Sequence, residues 1–226
     1  MHKILPLFLI AQLSFATTYE IPAQGNVVGE VQYANPEIGE TLAEVGIRYD
    51  IGFNEMVKAN PGVNPHQVLS SQIKLVIPSQ FTLPNVARQG IVINLAQYRL
   101  YFYPPDDNVV MTYPVGIGRK GWNTPTGLTK VISKERSPVW RPSTKLRKEA
   151  AESGMILPET FPSSVANPLG KYALRLGWSS YLIHGSNRTD SIGMRVSAGC
   201  IRMLPDDIEY LFEFVKVNTR VNIINA

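Results

Sequence analysis

The spacing of apolar residues changes period near residue 90, and no single kind of element accommodates both halves of the chain. Upstream, Leu42, Val45 and Tyr49 fall near helical spacing. Downstream, Ile91, Ile93 and Leu95 alternate, and Leu100 and Phe102 do the same after Gln97-Tyr98, which is the period of a strand. At 226 residues the chain exceeds one average domain, so the change of period predicts two units.

The first unit spans 30–80. Thr41 suits a helix cap, Asn54 can cap a second short helix carrying Met56, Val57 and Ala59, and Asn60-Pro61-Gly62 stops it. Lys74 to Pro78 reads as a strand ended by proline, which gives the order strand, helix, helix, strand. A linker over 81–89 contains Pro84 and Asn85. The second unit, 90–226, predicts an antiparallel meander turning at Pro104 to Asn108, then strands at 128–133, 172–176, 181–184 and 220–224. One helix is expected after Pro205, with Ile208, Leu211, Phe212 and Val215 on its apolar face. Between these strands, Lys134 to Gly170 is rich in proline and poor in alternation, the mark of a lid or binding loop, and Trp140 and Phe161 in it need something to pack against.

Residues 1–16 read as an export leader: Lys3 in a short positive start, an apolar run from Ile4 to Leu13, and Ser14-Phe15-Ala16 as a cleavage site. The run is too short to span a bilayer, and nothing later suggests a transmembrane segment, so the expected location is the periplasm. The formal net charge of +4 is scattered and lacks the basic stripe of a nucleic-acid-binding protein.

The chain holds one cysteine, Cys200, which in an exported protein is either a buried small hydrophobe or a thiol kept for chemistry. Of three histidines, His2 lies in the leader and His66 reads as a solvated turn residue, leaving His184. An imidazole within hydrogen-bond reach both takes the thiol's proton and favours the thiolate. His184 ends one predicted strand and Cys200 precedes another, so adjacent strand ends would bring them together, with Gly199 leaving room for a carbonyl to reach the Cys200 amide. Trp122 and Trp178 read as packing or rim aromatics.

Two families are resembled by the words around these residues. Gly39-Glu40-Thr41-Leu42, Lys58-Ala59-Asn60-Pro61, Val63-Asn64-Pro65 and Leu75-Val76-Ile77-Pro78 resemble a lysin-motif domain, a module that grips the glycan of peptidoglycan. Ile183-His184-Gly185-Ser186 with Arg195-Val196-Ser197-x-Gly199-Cys200-Ile201-Arg202-Met203 resembles the catalytic signature of the L,D-transpeptidase (YkuD) family, supported by Gly116-x-Gly118 and Asn123-Thr124-Pro125. Many relatives carry a second histidine where this chain has Ala198.

The resemblance implies a mainly β catalytic domain, a YkuD-like β-sandwich with a C-terminal helix and an irregular lid, plus a small α+β (βααβ) unit. It implies Cys200 as nucleophile, His184 as base and then acid, the Gly185 carbonyl as the group orienting the imidazole, and Gly199 beside the nucleophile. Arg202, Ser197 and Trp140 are the implied substrate contacts. The implied reaction attacks the diamino acid carbonyl of a peptidoglycan tetrapeptide stem, releases D-alanine and passes the acyl group to an amine. That amine belongs to a second stem or to a lysine of an outer-membrane lipoprotein. A hydrolase trimming stems and a non-catalytic wall-binding protein are the alternatives. Carbapenem-type β-lactams are the implied covalent inhibitors, and neither a cofactor nor a metal is implied.

Overall fold

The structure is a computed structural model that describes residues 17–226, so the expected leader lies outside the described residues. Three short strands open it: β1 (Thr17–Glu20), β2 (Val27–Gly29) and β3 (Gln32–Ala34). Two seven-residue helices follow, α1 (Leu42–Arg48) and α2 (Phe53–Ala59), then β4 (Leu75–Ile77) and β5 (Gln80–Thr82). The strand-rich region runs β6 (Gly90–Asn94), β7 (Arg99–Tyr103), β8 (Val109–Pro114), β9 (Ile117–Gly118) and β10 (Gly127–Arg136). Helix α3 (Thr144–Glu152) precedes β11 (Tyr172–Leu176), β12 (Leu182–His184), β13 (Arg195–Ser197) and β14 (Ile201–Arg202). The chain ends in α4 (Pro205–Phe214) and β15 (Arg220–Ile224).

Local chemistry explains the helix ends. Thr41 caps α1 as expected: its hydroxyl accepts from the Glu44 amide, and the Glu44 carboxylate accepts from the Thr41 amide at 2.7 Å. Helix α2 begins earlier than Asn54 would place it. Gly52 is its cap, with Glu55 Oε2 accepting from the Gly52 amide at 3.0 Å. Strands β3 and β4 pair antiparallel and close the α1–α2 unit, while Asn60 ties α2 to β4, donating to the Val76 carbonyl and accepting from its amide at 2.9 and 2.8 Å.

The larger region is mainly β, as expected. Eight of its strands join β1 in one curled sheet of nine, ordered β1-β8-β7-β6-β15-β10-β11-β12-β14, while β9 and β13 pair separately. Inward residues of both halves share one core with Ile208, Leu211 and Phe212 of α4, which is the physical content of the sandwich expectation. A second core lies on the sheet's other face, where Val92, Tyr101, Tyr103 and Val110 meet Leu42, Val45, Met56, Leu75 and Ile77 of the small unit. The connection between the units is not a free tether: Phe81 and Leu83 are buried in this second core, and β5 pairs with β2.

The stretch 134–170 opens with the last three residues of β10 and contains α3, neither of which its reading as a wholly irregular insert foresaw. Good helix formers and a Ser143 cap, accepting from the Leu146 amide at 3.2 Å, build the helix, yet none of its residues is buried. With no apolar face committed to the core, it leaves no periodic stripe to read. Among the described residues no helix is long and apolar enough to cross a membrane.

Candidate active site

Strands β12 and β14 lie side by side and parallel, pairing Ile183 with Ile201 and His184 with Arg202. Both isoleucines point into the main core. Side chains alternate along a strand, so His184 and Arg202 occupy the opposite face, together with Cys200 one step before β14. Sequence distance is thereby converted into a diagonal on one sheet face.

Main-chain carbonyls hold the imidazole. His184 Nδ1 lies 2.5 Å from the Gly185 carbonyl oxygen, and the Leu169 carbonyl also faces the ring. Burial pushes its pKa down to about 4, with the Arg202 charge acting in the same direction, so the ring is neutral near pH 7. Burial also pushes the Cys200 thiol up, although the Leu182 amide, Arg202 and Arg175 favour the thiolate. Both shifts favour the uncharged forms, thiol and neutral imidazole. The thiol donates to the Ser180 carbonyl, with 3.5 Å between sulfur and oxygen.

A buried polar scaffold sets the turn before the nucleophile. Gly199 has φ +107°, and an added Cβ there would lie 2.9 Å from the Tyr181 ring. The Ser197 hydroxyl accepts from the Gly199 amide at 3.1 Å and donates to the Cys200 carbonyl at 2.6 Å. Ser197 is 2% exposed, so its place is beneath the turn, not on a surface open to substrate. Thr124 donates to the Gly199 carbonyl at 2.8 Å and accepts from the Gly118 amide at 3.1 Å. A Cβ on Gly118 would sit 2.1 Å from the Trp122 carbonyl oxygen, which requires glycine there. Thr124 was not among the expected site residues; the Asn123-Thr124-Pro125 word was its only signal.

Above the site, Trp140 and Phe161 pair through both backbone hydrogen bonds and rings 5.3 Å apart. Asn167 binds the Pro138 carbonyl at 2.9 Å and closes the base of the lid. Glu149 of α3 takes hydrogen bonds from Arg119 and from the Trp122 indole, which anchors the lid helix beside the Gly118 turn. Trp122 is thus a latch as well as a rim aromatic. Arg202 is half-buried, and its Nε is shut off from water without a hydrogen-bond partner. His66, read as solvated, is exposed but stacks on Phe53, with ring centroids 5.8 Å apart. Among the described residues no group of three or more His, Cys, Asp or Glu side chains is placed to hold a metal ion.

The family model for the L,D-transpeptidase catalytic domain, YkuD, matches residues 88–223. A Salmonella typhimurium protein described as "Probable L,D-transpeptidase ErfK/SrfK" is 42% identical over 234 residues, covering 100% of this chain and 75% of that protein. The Escherichia coli protein described as "Probable L,D-transpeptidase YcfS" is 43% identical over 217 residues, covering 93% of this chain and 68% of that one. The Escherichia coli protein described as "Probable L,D-transpeptidase YbiS" is 42% identical over 214 residues, covering 93% and 69%.

Proposed function

The chain belongs to the L,D-transpeptidase catalytic-domain (YkuD) family, and on that premise we propose that it is an exported acyltransferase that remodels peptidoglycan through Cys200. The observation that carries the reading is the single sheet face shared by His184, Cys200 and Arg202, with His184 Nδ1 held by the Gly185 carbonyl. That hydrogen bond places the ring's proton on Nδ1 and leaves Nε2 as the base.

In the first half-reaction Nε2 takes the proton of Cys200 as the sulfur attacks the diamino acid carbonyl of a tetrapeptide stem. The sulfur–carbon bond forms, the peptide bond to D-alanine breaks, and the imidazolium returns its proton to the departing amine. In the second, an acceptor amine attacks the thioester and loses a proton to His184, and the thiol is restored. The Cys200 amide, freed for this by the glycine before it, supports the oxyanion in both. Trp140 and Arg202 contact substrate. Gly199 and Ser197 act by holding the turn. The acceptor is a second stem or a lipoprotein lysine; the leader at 1–16 sends the enzyme to the periplasm, and the lysin-motif-like unit at 30–80 engages the glycan.

The test is to incubate the protein with tetrapeptide stems and an amine acceptor and weigh the products. Joined stems with loss of one D-alanine, absent with Cys200→Ala, are expected. Trimmed stems without joining would make the enzyme a hydrolase, and activity retained in Cys200→Ala would overturn the mechanism. A carbapenem should add its mass to the wild-type protein alone.

A further inference from the structure

A groove of about 860 Å³ lies between three parts of the molecule: the small unit, the lid and the segment joining His184 to Cys200. One wall is the Phe53–His66 stack of the small unit, and the facing wall is the Trp140–Phe161 pair of the lid. The lining also carries Arg119, Arg188, Arg195 and Arg202 against one carboxylate, Asp190, which pairs with Arg188 at 2.8 Å.

The small unit is fixed in place as a wall. The Phe53 amide donates to the Ile192 carbonyl at 3.1 Å. An added Cβ on Gly193 would come within 2.6 Å of the Gly52 backbone, so main chain meets main chain directly. The groove reaches Arg202, but neither Cys200 nor His184 lines it. A molecule held there reaches Arg202, two residues along the chain from Cys200, where a second reactant would wait. Four guanidinium groups against one carboxylate in the lining leave the groove with an excess of positive charge, which points to an anionic occupant.

We propose that this groove is the acceptor site: a carboxylate-bearing peptide carrying the attacking amine lies between Phe53–His66 and Trp140–Phe161, its carboxylates on Arg188 and Arg202. The inference rests on the transfer reaction proposed above, and it makes the small unit part of the reaction site in addition to any role as a glycan anchor. Aromatic walls suit the apolar part of a peptide, and a guanidinium offers a carboxylate paired donors.

Two half-reactions separate the possibilities. His66→Ala and Arg188→Ala change exposed side chains, and unchanged melting temperatures check that both variants fold. In steady-state kinetics with separately varied donor and acceptor stems, each variant should raise the acceptor KM about tenfold. Acylation of Cys200 by donor stem or carbapenem, followed by intact mass, should keep its wild-type rate. An unchanged acceptor KM overturns the proposal. A parallel loss in donor acylation assigns the groove to the donor and overturns it equally. A wild-type protein that is never acylated would instead refute the transfer reaction itself.

Discussion

Arg99 and Arg202 both hold guanidinium nitrogens away from water, and the two are treated in opposite ways. Arg99, 1% exposed, sits where the small unit meets the back of the sheet. It donates to Thr112 Oγ1 at 2.7 Å, to the Asp50 carbonyl at 2.6 Å and to Glu55 Oε1 at 3.3 Å, and lies 3.8 Å over the Phe81 ring. Arg202, beside the nucleophile, keeps a buried Nε without a partner. Burying a charge is costly unless its donors are matched. A fully matched one welds two units together, whereas one left incomplete adds no such bond to the fold.

The reactive side of that contrast should give the largest effect. Cys200→Ala and His184→Ala should each lower transfer at least about a thousandfold, and the double variant should be little worse than either. Rates measured on stem peptides check this, and an additive double variant would mean that the two residues do not work as a unit. Next comes the weld. Arg99→Ala should cost about 3–5 kcal/mol of stability in chemical denaturation, because Glu55 loses its buried partner. Arg202→Ala should cost less than about 1 kcal/mol, since it removes an unmet donor, while slowing transfer. Equal stability losses would erase the distinction between the two arginines.

Acidity should divide the regions as well. The folded pKa of His184 is pushed down to about 4 from 6.5, so between those values the unfolded chain binds more protons. Stability should therefore fall as pH drops from about 6.5 to 4, by about 3 kcal/mol in all. At the junction, burial and mutual repulsion keep a proton on the Asp50–Asp207 carboxyl pair above the usual carboxylate range. There the folded state binds more protons, so its contribution to stability increases as pH falls. Denaturation midpoints across pH 4–7 should drop less steeply in His184→Gln and more steeply in Asp207→Asn; changes of the same sign would refute the assignment. The scaffold has a modest effect of its own: Thr124→Val should cost about 1–2 kcal/mol by leaving the Gly199 carbonyl unpaired, and Thr124→Ser should restore acylation of Cys200.

Much of this was legible in the sequence, and the rest was hidden for physical reasons. The strands of the larger region, α4 and the His184–Cys200 neighbourhood follow from alternation, helical spacing and a dense local signature. The docking of the small unit on the sheet had a signal that alternation masked. Ile91-Val92-Ile93 and Leu100-Tyr101-Phe102-Tyr103 are continuous apolar runs, which suit strands covered on both faces. Helix α3 buries nothing, so only propensity and its cap could reveal it. His66 meets Phe53 across thirteen residues of chain, and a stack formed on tertiary contact leaves no mark in local sequence.

The last strand of this chain, β15, is the middle one in space, parallel to β6 on one side and antiparallel to β10 on the other. Until Arg220–Ile224 arrive, the half-sheet backed by the small unit and the half-sheet bearing His184 and Arg202 both end in open hydrogen-bonding edges. Contacts across such sequence separations are slow to form. The order of synthesis thus sets the order of assembly, and the thiol's surroundings are completed only after the far end of the chain is free.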